Sequence, residues 1–161
     1  MPTLEAIIFD FDGVVADCQR SVLLPGAAAF IRAAAERVPL GIASGAVTED
    51  IEDLLNRHDL RSAFAAIVGI DQALRTKPSP DPYLEALHQI NSAGFPATAS
   101  QTVAIDDSMW GLVAARTAQL WCVGVASPTR AAEFARYADL VVSGLDALSL
   151  DMLVNLVTRE T

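Results

Sequence analysis

The 161-residue sequence lacks three features of specialised protein classes: cysteine pairs, long apolar runs and an excess of basic residues. Its two cysteines, Cys18 and Cys122, form no CxxC motif, which disfavours a zinc site or a disulfide framework and favours a reducing, cytoplasmic setting. No apolar run approaches the roughly 18 residues of a membrane-spanning helix, so we expect no membrane partner. Residues 1–9 have neither a basic start nor a long apolar stretch, and we expect no secretory signal.

The formal net charge of −9 argues against a broad nucleic-acid surface, because proteins that track phosphate backbones are usually basic. It does not argue against a small anionic substrate, since a bound cation reverses the local field of an acidic cleft. Apolar residues make up 52% of the chain and charged residues 19%, a balance that disfavours disorder. The length suits one domain, and we predict a single domain over residues 1–161.

Six short, continuous apolar runs alternate with segments of helical spacing. Continuous apolar character is typical of strands that are covered on both faces. The pattern predicts an α/β fold: a three-layer Rossmann-like core with a mainly parallel sheet of five to six strands flanked by helices. The predicted strands are 6–9, 40–43, 66–69, 102–105, 121–125 and 140–142, and the predicted helices are 27–37, 48–57, 81–90, 109–120 and 145–157.

Acidic residues stand directly after two of the predicted strands. Asp10 and Asp12 follow the first strand and, as residues i and i+2 of an extended chain, face the same way. Asp106 and Asp107 follow the fourth strand, just before a helix. Ligands of open parallel sheets bind beyond the carboxyl ends of the strands. We therefore expect the four carboxyl groups to share one pocket.

A hydroxyl group and a cation are expected beside these acids. Ser44 and Gly45 follow the second strand before a helix, where a hydroxyl and free backbone N–H groups can hold phosphate oxygens. Lys77 begins a proline-rich loop after the third strand. Taken singly, Ser44 suits a helix cap and Lys77 suits the protein surface. Their order and their shared placement after strands favour chemistry instead.

This combination of groups suits phosphoryl transfer. Clustered carboxylates repel each other unless a cation neutralises them, and oxygen ligands beside a phosphate favour Mg²⁺. A carboxylate can attack phosphorus and form an aspartyl phosphate, while a second carboxyl group protonates the leaving oxygen and then activates water. A lysine and a serine can hold the oxygens on which charge develops.

With these residues in place, the sequence resembles the haloacid dehalogenase superfamily, and within it the branch of β-phosphoglucomutase and phosphoglycolate phosphatase. Four ordered motifs and a last core strand carry the resemblance over nearly the whole chain. They are FDFDGVVAD at 9–17, IASG at 42–45, KPSPDPYL at 77–84, IDDSMWGLVAA at 105–115 and ADLVV at 138–142.

The resemblance implies a role for each motif residue. Asp10 would be the nucleophile, and Asp12 would be the general acid and base. Ser44, Gly45 and Lys77 would bind the transferred phosphoryl group. Dehalogenases of the superfamily lack the second acid, so Asp12 favours phosphoryl chemistry over cleavage of a carbon–halogen bond.

The resemblance also implies a Mg²⁺ cofactor. Asp10 and the backbone carbonyl of Asp12 would be ligands, and Asp107 would be the main ligand from the fourth motif. Asp106 would either ligate through water or support the residues around the metal.

Two departures from the family pattern are visible. Relatives in this branch insert a helical cap after the first motif, whereas here Asp17 leads through a short join at 18–24 directly into Pro25-Gly26, which normally follows the cap. The cap is therefore expected to be absent. The fourth-motif helix of relatives commonly ends in Ala-Gly, whereas here it reads Ala118-Gln119, which we expect to be a structural variation.

An open site favours hydrolysis over a phosphomutase reaction, because a mutase must keep its aspartyl phosphate from water. The expected enzyme is a phosphate monoester hydrolase acting on a phosphorylated small molecule or on an exposed phosphate of a larger substrate, with a homo-oligomer as one way to cover the site.

The alternative is a catalytically weak or inactive core that acts as a binding or scaffold module. A receiver-type phospho-acceptor domain fits poorly, because Asp71 does not directly end the third strand. Nucleotide-binding GxxxxGK and GxGxxG motifs are absent.

Overall fold

A computed structural model describes residues 2–159, so Met1, Glu160 and Thr161 of the predicted domain lie outside the described residues. Short 3₁₀ turns occupy Arg61–Ala63, Ala99–Gln101 and Leu145–Ala147. The strands and helices in chain order are β1 (Ala6–Phe9), β2 (Ala16–Asp17), β3 (Val22–Leu23), α1 (Ala27–Ala35), β4 (Leu40–Ala43), α2 (Thr48–Arg57), β5 (Phe64–Val68), α3 (Asp81–Ser92), β6 (Thr102–Asp106), α4 (Met109–Thr117), β7 (Trp121–Val125), α5 (Ala131–Phe134), β8 (Leu140–Val142) and α6 (Leu150–Val157).

Six parallel strands form the central sheet in the order β5-β4-β1-β6-β7-β8, which confirms the predicted α/β fold. The side chains of β1 divide between two cores. Ile7 and Phe9 pack into the larger core with α1, α2 and α6, and Ile8 packs into the second core with α3 and α4. Burial on both faces explains why β1 reads as an unbroken apolar run.

The strand order places the polar ends of two strands side by side. From β1 the chain winds outward through β4 and β5 and then returns to β6 on the other side of β1. Phe9 of β1 is in register with both Ile42 of β4 and Ile105 of β6. Asp10 therefore lies level with Asp106 at the point where the winding direction reverses. Such switch points are where open α/β sheets bind ligands.

The join after the first motif is a small antiparallel ribbon. Ala16 pairs with Leu23 and Asp17 pairs with Val22, and the Leu24 N–H donates to the Val15 carbonyl over 2.9 Å. The sequence pattern predicted no strand or helix for this segment. The ribbon connects the first motif to α1 without any inserted helical unit, so the described residues form a core without a cap.

The structure changes several predicted boundaries. β5 begins at Phe64, two residues early, because Phe64 is buried and pairs with Leu40. The last helix begins at Leu150, where Ser149 caps it by accepting from the Met152 N–H, and a 3₁₀ turn precedes it. Helix α5 was missed because it is only four residues long. No helix within residues 2–159 has the length and apolar character needed to cross a membrane.

Candidate active site

The Asp10 carboxylate lies at the carboxyl end of β1, in direct contact with β6. The Asp10 N–H donates to the Ile105 carbonyl over 2.8 Å, which continues the β1–β6 pairing by one residue. The Asp10 side chain is almost buried, and its Oδ1 accepts the Phe11 N–H over 2.9 Å. The backbone and ammonium donors on this carboxylate both meet Oδ1, and the Asp107 carboxyl group also lies in hydrogen-bond contact with the Asp10 side chain.

Lys77 reaches Asp10 from the loop before α3. Its Nζ lies 3.1 Å from Asp10 Oδ1 and 2.7 Å from Asp106 Oδ2, and its side chain is 12% exposed. The ammonium group therefore bridges the ends of β1 and β6. Burial by itself lowers the pKa of Lys77, but attraction to Asp10 and Asp106 outweighs it and raises the pKa above its ordinary value. Lys77 is charged at neutral pH.

Asp106 is surrounded by donors from its own protein. Its Oδ1 accepts from the Ser108 N–H and Oγ, both over 3.0 Å. Its Oδ2 accepts from Lys77 Nζ and from the Tyr83 hydroxyl over 2.6 Å. A carboxylate offers about four lone-pair positions, and four donors occupy them here. Of its two predicted roles, the geometry favours support of neighbouring residues over ligation.

Asp107 completes a cluster of three carboxylates with Asp10 and Asp106, and their nearest oxygens all lie within 4.8 Å of one another. Gly13 makes this approach feasible, because its φ is +85° and a Cβ there would collide with the Asp107 carboxylate. Gly111 plays the same part for Asp106, since a Cβ at that position would overlap its carboxylate. Both glycines therefore give space to acids rather than to apolar side chains.

Two of the clustered acids, Asp10 and Asp107, resist ionisation. Burial is the main cause that raises the pKa of Asp10 well above its ordinary value, and repulsion from Asp106 adds to it while Lys77 partly offsets both. Burial likewise raises the pKa of Asp107, with repulsion from Asp106 as a further cause. A cation near Asp10 and Asp107 would remove this penalty, because it favours the charged carboxylates.

Ser44 and Gly45 share a cavity with Lys77. The cavity measures about 110 Å³ and has apolar walls from Ile70 and Pro82. Ser44 is buried, and its Oγ accepts the Ala46 N–H over 3.1 Å, so the hydroxyl proton can point elsewhere. Gly45 is exposed, and no acceptor among residues 2–159 binds its N–H. The structure thus brings the predicted phosphate-binding residues together.

Asp12 lies at the exposed side of the site. Its Oδ1 accepts the Cys18 N–H over 2.9 Å, so the ribbon that replaces the cap orients this carboxylate. Burial, followed by the negative charge of Asp12, raises the pKa of the Cys18 thiol to about 12. Cys18 is thus an unreactive thiol at neutral pH, and its backbone supplies the useful contact.

Tyr83 and Cys18 were not predicted from the sequence as parts of the site. The spacing of Tyr83 from Lys77 gives no hint, because only the start of α3 brings the phenol under the ammonium. The Cys18 contact depends on the turn of the ribbon. Asp71, weighed above as a phosphoryl acceptor, instead caps α2, since its Oδ1 accepts from the N–H and Oγ1 of Thr48, each over 2.8 Å.

The fold and the site define a class: an open parallel α/β sheet with a carboxylate–lysine cluster at its switch point. A family model described as haloacid dehalogenase-like hydrolase matches residues 5–119. The chain belongs to this family. The match spans the residues from β1 to the end of α4 and so includes every predicted site residue.

Curated relatives with related sequences include enzymes named for phosphatase activity. The chain is 30% identical to the bifunctional riboflavin kinase/FMN phosphatase of Arabidopsis thaliana over 80% of its length, which is 33% of that protein. It is 38% identical to protein CbbY of Cupriavidus necator over 60% of its length, which is 37% of that protein. It is 28% identical to the validoxylamine A 7'-phosphate phosphatase of Streptomyces hygroscopicus over 68% of its length, which is 48% of that protein. The chain thus spans between a third and a half of these relatives.

Solved structures share the fold at low sequence identity. CbbY from Rhodobacter sphaeroides, in complex with phosphate, superposes with a TM-score of 0.79 at 22% identity, over 95% of this chain and 100% of that chain. A β-phosphoglucomutase from Clostridium difficile gives a TM-score of 0.80 at 16% identity, over 96% of this chain and 97% of that chain. These likenesses confirm the fold.

Proposed function

We propose that this protein is a Mg²⁺-dependent phosphate monoester hydrolase that works through an aspartyl phosphate on Asp10. The observation that carries the proposal is the Lys77 ammonium, which bridges Asp10 and Asp106 within 3.1 Å and 2.7 Å. Membership of a hydrolase family and relatives that are named as phosphatases support it. An ordinary structural ion pair would not also open onto a cavity that contains a hydroxyl and an unused N–H.

In the first step the Asp10 carboxylate attacks phosphorus, and the bond between phosphorus and the ester oxygen breaks. The leaving oxygen takes a proton from the Asp12 carboxyl group, which becomes a carboxylate. Lys77, the Ser44 hydroxyl and the Gly45 N–H hold the phosphoryl oxygens, where charge develops. The ester has then become an alcohol and an aspartyl phosphate.

In the second step water attacks the phosphorus of the aspartyl phosphate. The Asp12 carboxylate takes a proton from that water, the bond between phosphorus and Asp10 breaks, and inorganic phosphate leaves. Asp12 is suited to both steps because it lies at the exposed side of the site, where a leaving group and then water can reach it. The cycle returns both acids to their starting states.

The residues present fit a divalent cation. Asp10 and Asp107 would hold Mg²⁺ together with the Asp12 backbone carbonyl, while Asp106 has its acceptor positions filled by the protein. When bound, the metal supplies charge that neutralises the carboxylates and the phosphoryl oxygens.

The open site bears on the substrate. We propose a single domain without a cap, in which neither a lid nor its side chains select the leaving group. Such a site accepts phosphate esters of varied size, including a phosphate exposed on a larger molecule. It also exposes an aspartyl phosphate to water, which favours hydrolysis over transfer within a sugar.

The direct test is hydrolysis of p-nitrophenyl phosphate with and without Mg²⁺, by the wild type and by Asp10→Asn. We expect turnover that requires Mg²⁺ and falls by at least roughly a thousandfold in the variant, because the nucleophile is lost. Asp59→Asn, at an exposed acid after α2, serves as the matched control and should keep the wild-type rate.

Metal binding is measured separately by titration calorimetry. Wild-type protein that binds Mg²⁺ but hydrolyses nothing would contradict the enzymatic proposal and favour a binding module. Equal rates for the wild type and Asp10→Asn would contradict the assignment of the nucleophile.

A further inference from the structure

Tyr83 places a buried hydroxyl on the carboxylate that anchors the lysine. It is the third residue of α3 and is fully buried. Its hydroxyl donates to Asp106 Oδ2 over 2.6 Å, and its ring lies under the Lys77 ammonium, with 4.9 Å between Nζ and the ring centroid. A buried tyrosine needs a hydrogen-bond partner, but nothing in core packing requires that partner to be an acid of the candidate active site.

The same oxygen of Asp106 serves two donors, Tyr83 and Lys77. The ammonium lies between Asp106 at 2.7 Å and Asp10 at 3.1 Å, so its position depends on how strongly each carboxylate attracts it. A hydroxyl donor on Asp106 Oδ2 offsets part of that oxygen's charge. Removal of the hydroxyl would leave more of this charge to Lys77 and would draw the ammonium away from Asp10.

The chain between the two residues makes this arrangement stiff. The Asp81 N–H donates to Ser79 Oγ over 3.2 Å, and the Leu84 N–H donates to the Pro80 carbonyl over 2.9 Å. These bonds join the loop after Lys77 to the first turn of α3. The ring of Tyr83 and the aliphatic part of Lys77 are therefore held in a fixed position relative to each other, which a mobile surface loop would not do.

We propose that Tyr83 is a positioning residue, whose hydroxyl holds Lys77 between Asp106 and Asp10 at the place where it binds a phosphoryl oxygen. This inference rests on the proposed function for its catalytic consequence. The positioning of Lys77 itself does not depend on catalysis, and it is tested by measuring the Kd of inorganic phosphate.

The experiment compares the wild type with Tyr83→Phe, which keeps the ring and loses only the hydroxyl. Tyr137→Phe is the matched control at the other tyrosine of the chain, which is 37% exposed and lies after α5. Titration calorimetry gives the Kd of inorganic phosphate at saturating Mg²⁺ and the Kd of Mg²⁺ alone, and p-nitrophenyl phosphate gives kcat/KM.

We expect Tyr83→Phe to weaken phosphate binding about fivefold and to lower kcat/KM roughly tenfold, as loss of supporting hydrogen bonds commonly does. The Kd of Mg²⁺ should change less than about twofold, because Asp106 is not a free ligand. Tyr137→Phe should leave all three values at the wild-type level. In a Lys77→Met background, Tyr83→Phe should have no further effect on phosphate binding.

Wild-type phosphate affinity in Tyr83→Phe would overturn the proposal, whatever its melting temperature. An equal loss of affinity in the Lys77→Met background would also overturn it, since the hydroxyl would then act through general packing. Phosphate binding that depends on Tyr83 in a wild type without turnover would support the positioning role and contradict the proposed function. Absence of phosphate binding by the wild type would contradict both.

Discussion

The two sides of the candidate active site are built from different contacts. The inner side consists of Asp10, Lys77, Tyr83 and Asp106, whose side chains are buried and bound to one another. The outer side consists of Asp12 and Gly45, which are exposed, and of Cys18, which is half-buried. Here the Asp12 side chain contacts the backbone, since its Oδ1 accepts the Cys18 N–H. Charges on the inner side act at low dielectric and support the fold, whereas the Asp12 carboxylate on the outer side is in contact with water.

This contrast predicts that substitutions on the inner side lower both activity and stability, whereas substitutions on the outer side lower activity alone. On the inner side the same ionic contacts hold the strand ends together and position Asp10, the proposed nucleophile. On the outer side a side chain is replaceable with little loss of folding energy, even where turnover depends on it. Four changes test the contrast, from the largest expected effect to the smallest.

Asp12→Ala on the outer side should lower kcat by about 10² to 10⁴, because it removes the proposed general acid and base. The free energy of unfolding should fall by no more than about 1 kcal/mol, since only one hydrogen bond to an exposed backbone N–H is lost. Steady-state kinetics and urea unfolding measure the two effects. Asp17→Ala, at the ribbon acid that pairs with Arg20, is the control and should keep kcat. A loss of activity explained by unfolding would refute the separation.

Lys77→Met on the inner side should lower the free energy of unfolding by about 3 kcal/mol at pH 7.5, because two buried carboxylates lose their cation. The matched change Arg61→Met removes a pair with Glu52, whose side chains are 38% and 40% exposed, and should cost less than about 1 kcal/mol. Urea unfolding at both pH 7.5 and pH 5 provides the comparison.

The loss in free energy of unfolding caused by Lys77→Met should be smaller at pH 5 than at pH 7.5. Burial already raises the pKa of Asp10, and loss of Lys77 raises it further, so protonation at lower pH removes the unpaired charge. If Lys77→Met and Arg61→Met lower the free energy of unfolding equally, the buried contacts of Lys77 stabilise the fold no more than a surface ion pair does.

Mg²⁺ should stabilise the protein more at pH 8 than at pH 5. The pKa of Asp10 is raised in the folded state, chiefly by burial, so the metal-free protein loses stability as pH rises from the unfolded pKa through the folded one. Mg²⁺ needs ionised ligands, so its binding strengthens over that same window. At a hundredfold excess over Kd we expect about 2.7 kcal/mol at pH 8. A melting temperature that responds equally at both pH values would argue against Asp10 and Asp107 as ligands.

Gln119→Gly should raise the free energy of unfolding by about 0.5 to 1 kcal/mol and leave kcat unchanged. Gln119 follows α4 with a φ of +67°, in the left-handed region that glycine adopts without strain. Gln119→Ala is the control and should give no gain, because its Cβ keeps the strain. Chemical unfolding and p-nitrophenyl phosphate kinetics give the two readings, and a gain with Ala equal to that with Gly would contradict the backbone explanation.

The sequence was sufficient for the sheet and for the acids at its edge, because strand burial and strand ends are local features. The runs that became β1 and β4 were predicted with correct bounds, and Asp10 and Asp106 met as their strand positions require. Gln119 has a φ of +67°, in the left-handed region that favours glycine, and its residue type alone did not predict this conformation.

Contacts that depend on the path of a loop were beyond the sequence. The hydroxyl of Tyr83 reaches Asp106 only because the loop from Lys77 returns under the sheet edge, and the Cys18 N–H reaches Asp12 only because the ribbon folds back. Neither contact follows from periodicity or residue type. The four donors that occupy the Asp106 carboxylate could not be predicted for the same reason, because two of them reach it from the loop and helix that follow Lys77.

The central claim is the covalent step on Asp10, and mass spectrometry of trapped protein tests it most directly. Asp12→Ala is mixed with p-nitrophenyl phosphate and Mg²⁺, quenched in acid and digested. Because p-nitrophenolate leaves without help from an acid, the first step should proceed, while water attack lacks its base. We predict one added phosphoryl group on the peptide that contains Asp10, and none in Asp12→Ala combined with Asp10→Asn. A phosphoryl group on another residue, or wild-type turnover with no phosphorylated peptide in the variant, would contradict the account.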